Sequence, residues 1–183
     1  AMKAGSRIIA FDDAPFRKAD KKCLVVGVVK RQSEVEGVLS FNVDVDGIDA
    51  TKMMIEHILK SRFKKQIRLI ATNGIVVAGL NVVDVVALYR KTGFPVIAVT
   101  RRKPHAALLE NAVRKSGRNV EMKLKILRRI SKIKIERIGG FYVQSYGIAA
   151  KDAENLVGIA ADALRLAHMI ASGVTSGESK GRV

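Results

Sequence analysis

Three apolar runs rich in β-branched residues lie close together near the N-terminus, and they restrict the possible folds more than any other feature. Only short polar segments separate them, such as the RQSEVE between the second and third runs. Runs of this composition and spacing predict neighbouring antiparallel strands. The three predicted strands of this meander are Arg7–Phe11, Lys22–Val29 and Gly37–Val45.

The middle of the chain alternates between helical and strand patterns. Apolar residues at helical spacing are followed by short buried runs that end at glycine or proline. Because strand, helix and strand in this order require parallel crossovers, we expect an α/β fold whose meander continues into parallel strands, with helices on both faces. The predicted elements are a helix from the N-cap Asp49 to Ser61, a strand Ile67–Ala71, a helix Leu80–Lys91 and a strand Val96–Val99.

The last third of the chain predicts two helices, a hairpin and a long final helix. The hairpin is indicated by Gly139-Gly140 between two apolar runs. The second helix competes with a strand, since Val120, Met122 and Leu124 also alternate with a period of two. The predicted elements are the helices Pro104–Lys115 and Val120–Ile133, the strands Ile133–Ile138 and Phe141–Tyr146, and the helix Lys151–Ala171.

Length and composition predict a single domain spanning 1–183, with flexible tails at 1–6 and about 173–183. Hydrophobic residues form 48% of the chain and aromatic residues only 5%, so the core must be built from aliphatic layers. Neither an uninterrupted apolar run long enough for a bilayer nor an export signal is visible. Together with the lone Cys23, these features favour a cytoplasmic protein without membrane partners.

The charge of the chain points to a nucleic acid as its partner. There are 33 Lys and Arg against 17 Asp and Glu, a formal net charge of +16. Half of that excess lies within residues 114–137, and such a basic stretch attracts phosphate. A solvated surface is the competing explanation. The candidate phosphate contacts are Arg101, Arg102, Lys103, Arg118, Lys125, Arg128 and Arg129.

Acidic residues are scarce, and those at strand ends indicate a cation site. Asp12 and Asp13 end the first predicted strand, Asp46 and Asp49 follow the third, and Asn73 follows the fourth. Carboxylates that converge from such ends suit Mg²⁺ or Mn²⁺. Turn formation and helix capping are the structural alternative. The three histidines lack a partner nearby in sequence and are expected to be surface or core residues, and neither a zinc site nor a nucleotide-binding glycine loop is indicated.

Six segments, in order, resemble the archaeal endonuclease dU family. They are IIAFDDAPF, VDGIDAT, NGIVVAGLNVVD, TGFPVIAVTRRKP, YVQSYGI and LRLAHMIASGV. That family is similar in turn to endonuclease V, which has a ribonuclease H-like fold and cuts beside deaminated bases with a carboxylate-bound Mg²⁺. The resemblance therefore implies a ribonuclease H-like α/β fold and a metal-dependent endonuclease.

The resemblance also implies roles for individual residues. Asp12 or Asp13, with Asp12 slightly preferred, matches the first-strand carboxylate, and Asp46 or Asp49 falls near the second acidic position. Asn73 lies where both families usually carry Asp, so a neutral amide replaces one negative charge. We expect catalysis and metal binding at these positions. The alternative is a protein that binds DNA or RNA without catalysis.

The resemblance further implies where a substrate base would lie. The backbone around Gly74 and Gly79, in the NGIVVAGLNVVD segment, is expected to line a pocket for a base extruded from the DNA. The basic residues named above would then hold the DNA backbone on either side of this pocket.

Overall fold

A computed structural model describes residues 5–179, and its centre is a seven-stranded mixed sheet. The strand order is β3-β2-β1-β4-β7-β9-β8. The strands of this sheet are β1 (Arg7–Asp13), β2 (Lys22–Arg31), β3 (Glu34–Asp44), β4 (Ile67–Asn73), β7 (Val96–Thr100), β8 (Ile135–Ile138) and β9 (Phe141–Tyr146). A separate two-stranded ribbon is formed by β5 (Val76–Val77) and β6 (Asn81–Val82).

The predicted meander and parallel extension are both present. β1 pairs antiparallel with β2, and β2 pairs antiparallel with β3. β4 lies between β1 and β7 and is parallel to both. β9 and β8 add an antiparallel edge beyond β7. The predicted hairpin is confirmed, since Gly139 and Gly140 both adopt the positive φ that a tight two-residue turn between β8 and β9 favours.

The described part of the chain has five helices, of which the first two and the last pack on the sheet. Successive residues of a strand point to opposite faces. Ile8 of β1 packs in a cluster with Ala160 of the last helix, whereas Ile9 packs in a cluster with Met54 and Leu88 of the first two helices. Helices therefore lie on both faces, as predicted. The helices are α1 (Ala50–Lys60), α2 (Val85–Thr92), α3 (Ala106–Ser116), α4 (Val120–Ile130) and α5 (Ala150–Ser176).

The predicted start of the second helix, at Leu80, is wrong. Leu80 donates its backbone N–H to the Asp46 carboxylate, and Asn81 belongs to β6. The helix begins only at Val85, after Asp84, whose carboxylate accepts from the backbone N–H of Ala87 at 3.0 Å. A side chain thus caps this helix, as expected for an N-terminal Asp.

Two further predictions about helices are corrected or resolved. The segment from Val120 is helical and not a strand, because its buried positions recur at helical spacing. The last helix continues past the predicted end at Ala171 to Ser176, so the predicted tail is helical from 173 to that residue. Residues 1–4 and 180–183 of the predicted tails lie outside the described residues.

Helix α5 is long and apolar enough to cross a membrane by length and composition alone. Its small buried residues, including Ala160, Ala163 and Ala167, instead pack against the sheet, where the helix contacts β1 and β2 most extensively. Such packing is what the core helix of a folded domain shows, and it places the last third of α5 beside the end of β1.

Candidate active site

The parallel pairing of β1 and β4 brings Asp12 and Asn73 together at the carboxyl end of the sheet. Phe11 is paired with Thr72, so the next residue of each strand lies beside the other. The Asn73 amide Nδ2 donates to both carboxylate oxygens of Asp12, at 3.1 and 3.2 Å. Asp12 is buried, with 4% of its surface exposed. The sequence-predicted meeting of these two residues is therefore present.

Asp13 lies beside Asp12 and is held by a loop from another part of the chain. Its backbone N–H donates to Asp12 Oδ1 at 2.9 Å, and its carboxylate Oδ2 accepts from the backbone N–H of Ala78 at 2.5 Å. Sequence alone left open which aspartate of the pair belongs to the site. The structure brings both carboxylates to the same place.

His168 of α5 completes this arrangement, contrary to the expectation that it is a surface or core residue. Its Nδ1 lies 3.0 Å from the backbone oxygen of Asp13 and 3.7 Å from Asp12 Oδ2. One ligand atom from each of Asp12, Asp13 and His168 lies within 4.8 Å of the other two. We call these three residues the carboxylate–imidazole group.

The tautomer of His168 follows from its neighbour. A backbone oxygen can only accept a hydrogen bond, so in the neutral imidazole Nδ1 carries the proton and donates to Asp13. The lone pair on Nε2 is then available. A histidine whose Nδ1 donates to a carbonyl while Nε2 binds a cation is a common arrangement in metal sites.

The electrostatics of the group favour a cation. Burial, and secondarily the charge of Asp13, raises the pKa of Asp12 from 3.8 to about 7. Burial removes the water that would stabilise the carboxylate, and a like charge beside it adds repulsion. A divalent ion would relieve both effects.

The residues present fit such an ion. Carboxylate oxygens are the donors that Mg²⁺ and Mn²⁺ prefer, and the ligand atoms of the group lie within 4.8 Å of one another. Asp12, Asp13 and His168 would hold the ion. Asn73 was predicted as a metal residue as well, but both of its observed side-chain hydrogen bonds are donated to Asp12, so it contacts the site through that carboxylate.

Asp46 lies near this group without joining it. Its backbone N–H donates to the Ala78 oxygen at 2.9 Å, and its Oδ1 accepts from the backbone N–H of Leu80 at 2.8 Å. Since the N–H of Ala78 donates to Asp13, Asp46 supports the loop that orients that carboxylate. The backbone oxygen of Asp46 in turn accepts from Nζ of the fully buried Lys123 at 2.7 Å. Burial lowers the pKa of this lysine.

Asp49 occupies the predicted N-cap position of α1, but its carboxylate bonds to other elements. Its carboxylate accepts from the backbone N–H of Asp44 at 3.1 and 3.3 Å and from Nδ2 of the buried Asn81 at 2.7 Å. It makes no side-chain capping bond to α1. The carboxylate thus joins the end of β3 to β6, and the structure does not bring it into the carboxylate–imidazole group.

The two glycines predicted to line a base pocket are separated. Gly74 lines a cavity of about 350 Å³ together with Asn73, Arg102 and Lys103, between the sheet and the helices α3 and α4. Much of the remaining lining is apolar, and the aromatic side chain of Tyr142 also contributes to it. Gly79 lies elsewhere, where an added Cβ would be 2.3 Å from the Asp46 carboxylate.

The other predicted phosphate contacts divide into exposed and engaged side chains. Lys125 and Arg128 are exposed on α4, and Arg101 is exposed with its guanidinium 5.4 Å from the ring centre of Phe141. Arg118 donates to the backbone oxygen of Val45 at 3.1 Å. Arg129, also on α4, forms an ion pair with the buried carboxylate of Asp84.

Sequence reasoning missed two side chains and one backbone group around this site. His168 lacks an acidic neighbour in sequence, and its signal was the LRLAHMIASGV segment of the family resemblance. Lys123 could not be distinguished, by sequence, from the other cations of the basic stretch at residues 114–137. The Ala78 N–H carries no sequence signal, since any residue supplies a backbone donor.

The fold matches that of endonuclease V. A Ciona intestinalis endonuclease V solved with a 23mer DNA containing an inosine superposes with a TM-score of 0.52 at 12% identity, over 83% of this chain and 76% of that one. The catalytic domain of human endonuclease V gives a TM-score of 0.50 at 12% identity, over 84% and 75% of the two chains. At these identities the likeness concerns the fold alone.

Closer similarity is found among archaeal proteins. A UPF0215 protein of Thermococcus sibiricus is 43% identical over 98% of this chain and 97% of its own length. The crystal structure of a protein of unknown function from Archaeoglobus fulgidus has a TM-score of 0.84 at 36% identity, over 92% of this chain and 98% of that one. The family model for endonuclease dU matches residues 4–175. The chain belongs to the endonuclease dU family, as its motifs predicted.

Proposed function

We propose that the protein is a metal-dependent endonuclease that acts on DNA containing deaminated bases, uracil or hypoxanthine, with Mg²⁺ or Mn²⁺ as cofactor. The observation that carries this proposal is the carboxylate–imidazole group, at the carboxyl end of a sheet that matches endonuclease V. Membership of the endonuclease dU family supports it. We also propose that the topology is ribonuclease H-like and that the protein is cytoplasmic.

Each residue of the site has a defined task in this proposal. When bound, the ion supplies positive charge that polarises the scissile phosphate and helps to activate water. Asp12 and Asp13 would hold the ion, together with the imidazole of His168 beside them. The Asn73 amide fixes the orientation of Asp12, and the Ala78 N–H fixes that of Asp13, so the two carboxylates are positioned before substrate arrives.

The cavity beside Asn73 suits the base of the substrate. Its volume of about 350 Å³ is within the usual range of small-molecule pockets, and it opens next to Gly74. Arg102 and Lys103 at its lining would contact the phosphates on either side of an extruded nucleotide. A base in this cavity would place its phosphate near the carboxylate–imidazole group.

Cleavage of labelled oligonucleotides tests the proposal. We expect duplexes with one uracil or hypoxanthine to be cut with Mg²⁺ or Mn²⁺ and to stay intact with EDTA. Asn73→Asp should increase cleavage by restoring a negative charge beside Asp12. Asn155→Asp, the same change at an exposed position of α5, is the matched control for the added charge. Wild-type protein that cuts none of these duplexes under any metal condition overturns the proposal.

A second candidate is a nucleic-acid-binding protein on the same scaffold without catalysis. It is favoured by the Asn73 amide, a neutral group beside Asp12 that adds no negative charge to attract a divalent cation. Binding of DNA or RNA would then be salt-sensitive and unchanged by EDTA, with no cleavage by the wild type.

A further inference from the structure

Phe16 is an aromatic side chain that the fold leaves in solvent. Its residue is 38% exposed, and it is the only exposed aromatic residue among residues 5–179. The chain has only six Phe, three Tyr and no Trp. A single exposed apolar residue is ordinary on a protein surface, so exposure alone does not indicate a function. The position of Phe16 and its neighbours provide that evidence.

The ring of Phe16 lies beside the carboxylate–imidazole group. Phe16 follows Asp13 by three residues. A Cβ added to Gly79 would lie 3.5 Å from Phe16 Cζ, so the tip of the ring is next to the Gly79 backbone. The neighbouring residue, Ala78, donates its N–H to the Asp13 carboxylate. One short loop therefore contacts both the ring and a metal-binding side chain.

The segment that carries Phe16 is also basic. Arg17, Lys18 and Lys21 are exposed, and within the described chain none of them forms an ion pair. The one acidic residue of the segment, Asp20, instead accepts from the backbone N–H of Arg17 at 2.7 Å. A backbone bond from the Asp20 N–H to the Arg17 oxygen at 3.0 Å closes the turn. The segment is thus an ordered turn with three free cations.

Exposed cations around an exposed ring are the combination by which proteins hold unpaired nucleic acid. Phosphates pair with the cations, and a base with a free face stacks on the ring. The basic helices α3 and α4 lack this ability, since no aromatic residue occurs in residues 95–140. The turn adjacent to Asp13 has both an exposed aromatic ring and exposed cations, whereas those helices have cations alone.

We propose that the β1–β2 loop, residues 14–21, binds the nucleic acid next to the scissile phosphate, with Phe16 stacked on an unpaired base and Arg17, Lys18 and Lys21 on its phosphates. The inference rests on the proposed nuclease function and adds a preference to it. Because a paired base offers no free face, the loop favours single-stranded or locally unpaired substrate.

Fluorescence tests the inference directly, because the chain has no tryptophan of its own. Phe16→Trp introduces a single indole at the loop. Val35→Trp is the matched control, since Val35 is 48% exposed at the opposite end of the sheet, where it is paired with Lys30 and, through it, with Ile8. Each variant is titrated with a single-stranded oligonucleotide and with the same sequence as a fully paired duplex, while anisotropy of a labelled strand reports binding.

We expect the single strand to quench the emission of Phe16→Trp more strongly than the duplex does, and to leave Val35→Trp unchanged. Phe16→Ala should lose roughly tenfold in affinity for the single strand, and Phe16→Tyr should keep the wild-type value. These losses should appear in KM for cleavage before they appear in kcat.

The outcomes separate the two proposals. Emission of Phe16→Trp that does not change while anisotropy shows binding, or equal quenching by single strand and duplex, overturns the loop inference and leaves the nuclease proposal intact. An affinity of Phe16→Ala for the single strand equal to that of the wild type likewise overturns the loop inference alone. Wild-type protein that neither binds nor cuts any oligonucleotide overturns both.

Discussion

Asp12 and Asp13 end one strand and Asp46 and Asp49 follow the end of another, yet the two pairs meet different surroundings. Asp12 and Asp13 lie side by side with His168, so their negative charges are close together. Asp46 and Asp49 each accept hydrogen bonds from separate backbone or amide donors, and these hold the turns after β3. Of the two pairs, only Asp12 and Asp13 therefore have the arrangement that could hold a metal ion.

The sharpest test of this contrast is the removal of one charge from the first pair. Asp13→Asn keeps an oxygen that accepts from the Ala78 N–H, so the loop contact survives while a metal-binding carboxylate is lost. We expect cleavage to fall on the order of 10³-fold, since a metal ion contributes several kcal/mol to such a transition state. Single-turnover cleavage measures the effect. A fall of less than tenfold would remove Asp13 from the ligand set.

Asp46 is expected to show an intermediate effect, because it supports the loop that orients Asp13. Asp46→Ala removes the acceptor for the Leu80 N–H, and we expect the affinity for Mn²⁺ to fall about 10- to 100-fold. Asp46→Asn, which keeps an acceptor oxygen, should lose less. Mn²⁺ titration followed by electron paramagnetic resonance gives both affinities, and equal values for Asp46→Ala and the wild type would show that the loop does not affect the metal.

The raised pKa of Asp12 should make metal binding depend on pH. In the metal-free protein the pKa of Asp12 is raised to about 7, chiefly by burial, so below that pH a proton competes with the metal. Affinity for Mn²⁺ should fall about tenfold for each pH unit below 7 and stay level above it. The dependence should become weaker in Asp12→Asn.

The same raised pKa affects the stability of the metal-free protein. The stabilisation from the protonated Asp12 is complete below 3.8 and is lost as pH rises through about 7, so the free energy of unfolding should decrease over that interval. Urea unfolding in EDTA at a series of pH values measures it. A flat profile through this interval, or the same slope in Asp12→Asn, would contradict the assignment.

The smallest effect on metal binding is expected at Asp49. Asp49→Ala leaves the Asp44 N–H without an acceptor and the Asn81 amide with one partner fewer, so the free energy of unfolding should fall by about 2 to 4 kcal/mol. Affinity for Mn²⁺ should stay within about twofold of the wild type, as fits a residue outside the ligand set. A larger loss of affinity with unchanged stability would place Asp49 in the site.

The sequence predicted the parts of the site that follow from strand pairing. Asp12 and Asn73 meet because each ends a strand and the two strands are parallel neighbours, which the order of elements implied. His168 could not be found in this way, since its approach to Asp13 depends on how α5 packs across the sheet, over a separation of 155 residues.

The wrong helix start at Leu80 has a related cause. Leu80 and Asn81 satisfy their hydrogen bonds with Asp46 and Asp49, so a tertiary contact overrides the local helical pattern. The bond from Asn81 also holds the Asp49 carboxylate away from the carboxylate–imidazole group. Two hydrogen bonds between distant loops thus account for the error in secondary structure and for the position of Asp49.

The buried ammonium of Lys123 has a consequence for how the protein can be altered. It ties α4 to the turn that supports Asp13, and the basic stretch that begins in α3 and continues through α4 carries half of the excess positive charge. The basic helix α4 is therefore coupled to the candidate site. Transplanting or trimming α4 would also disturb the turn that orients the Asp13 carboxylate.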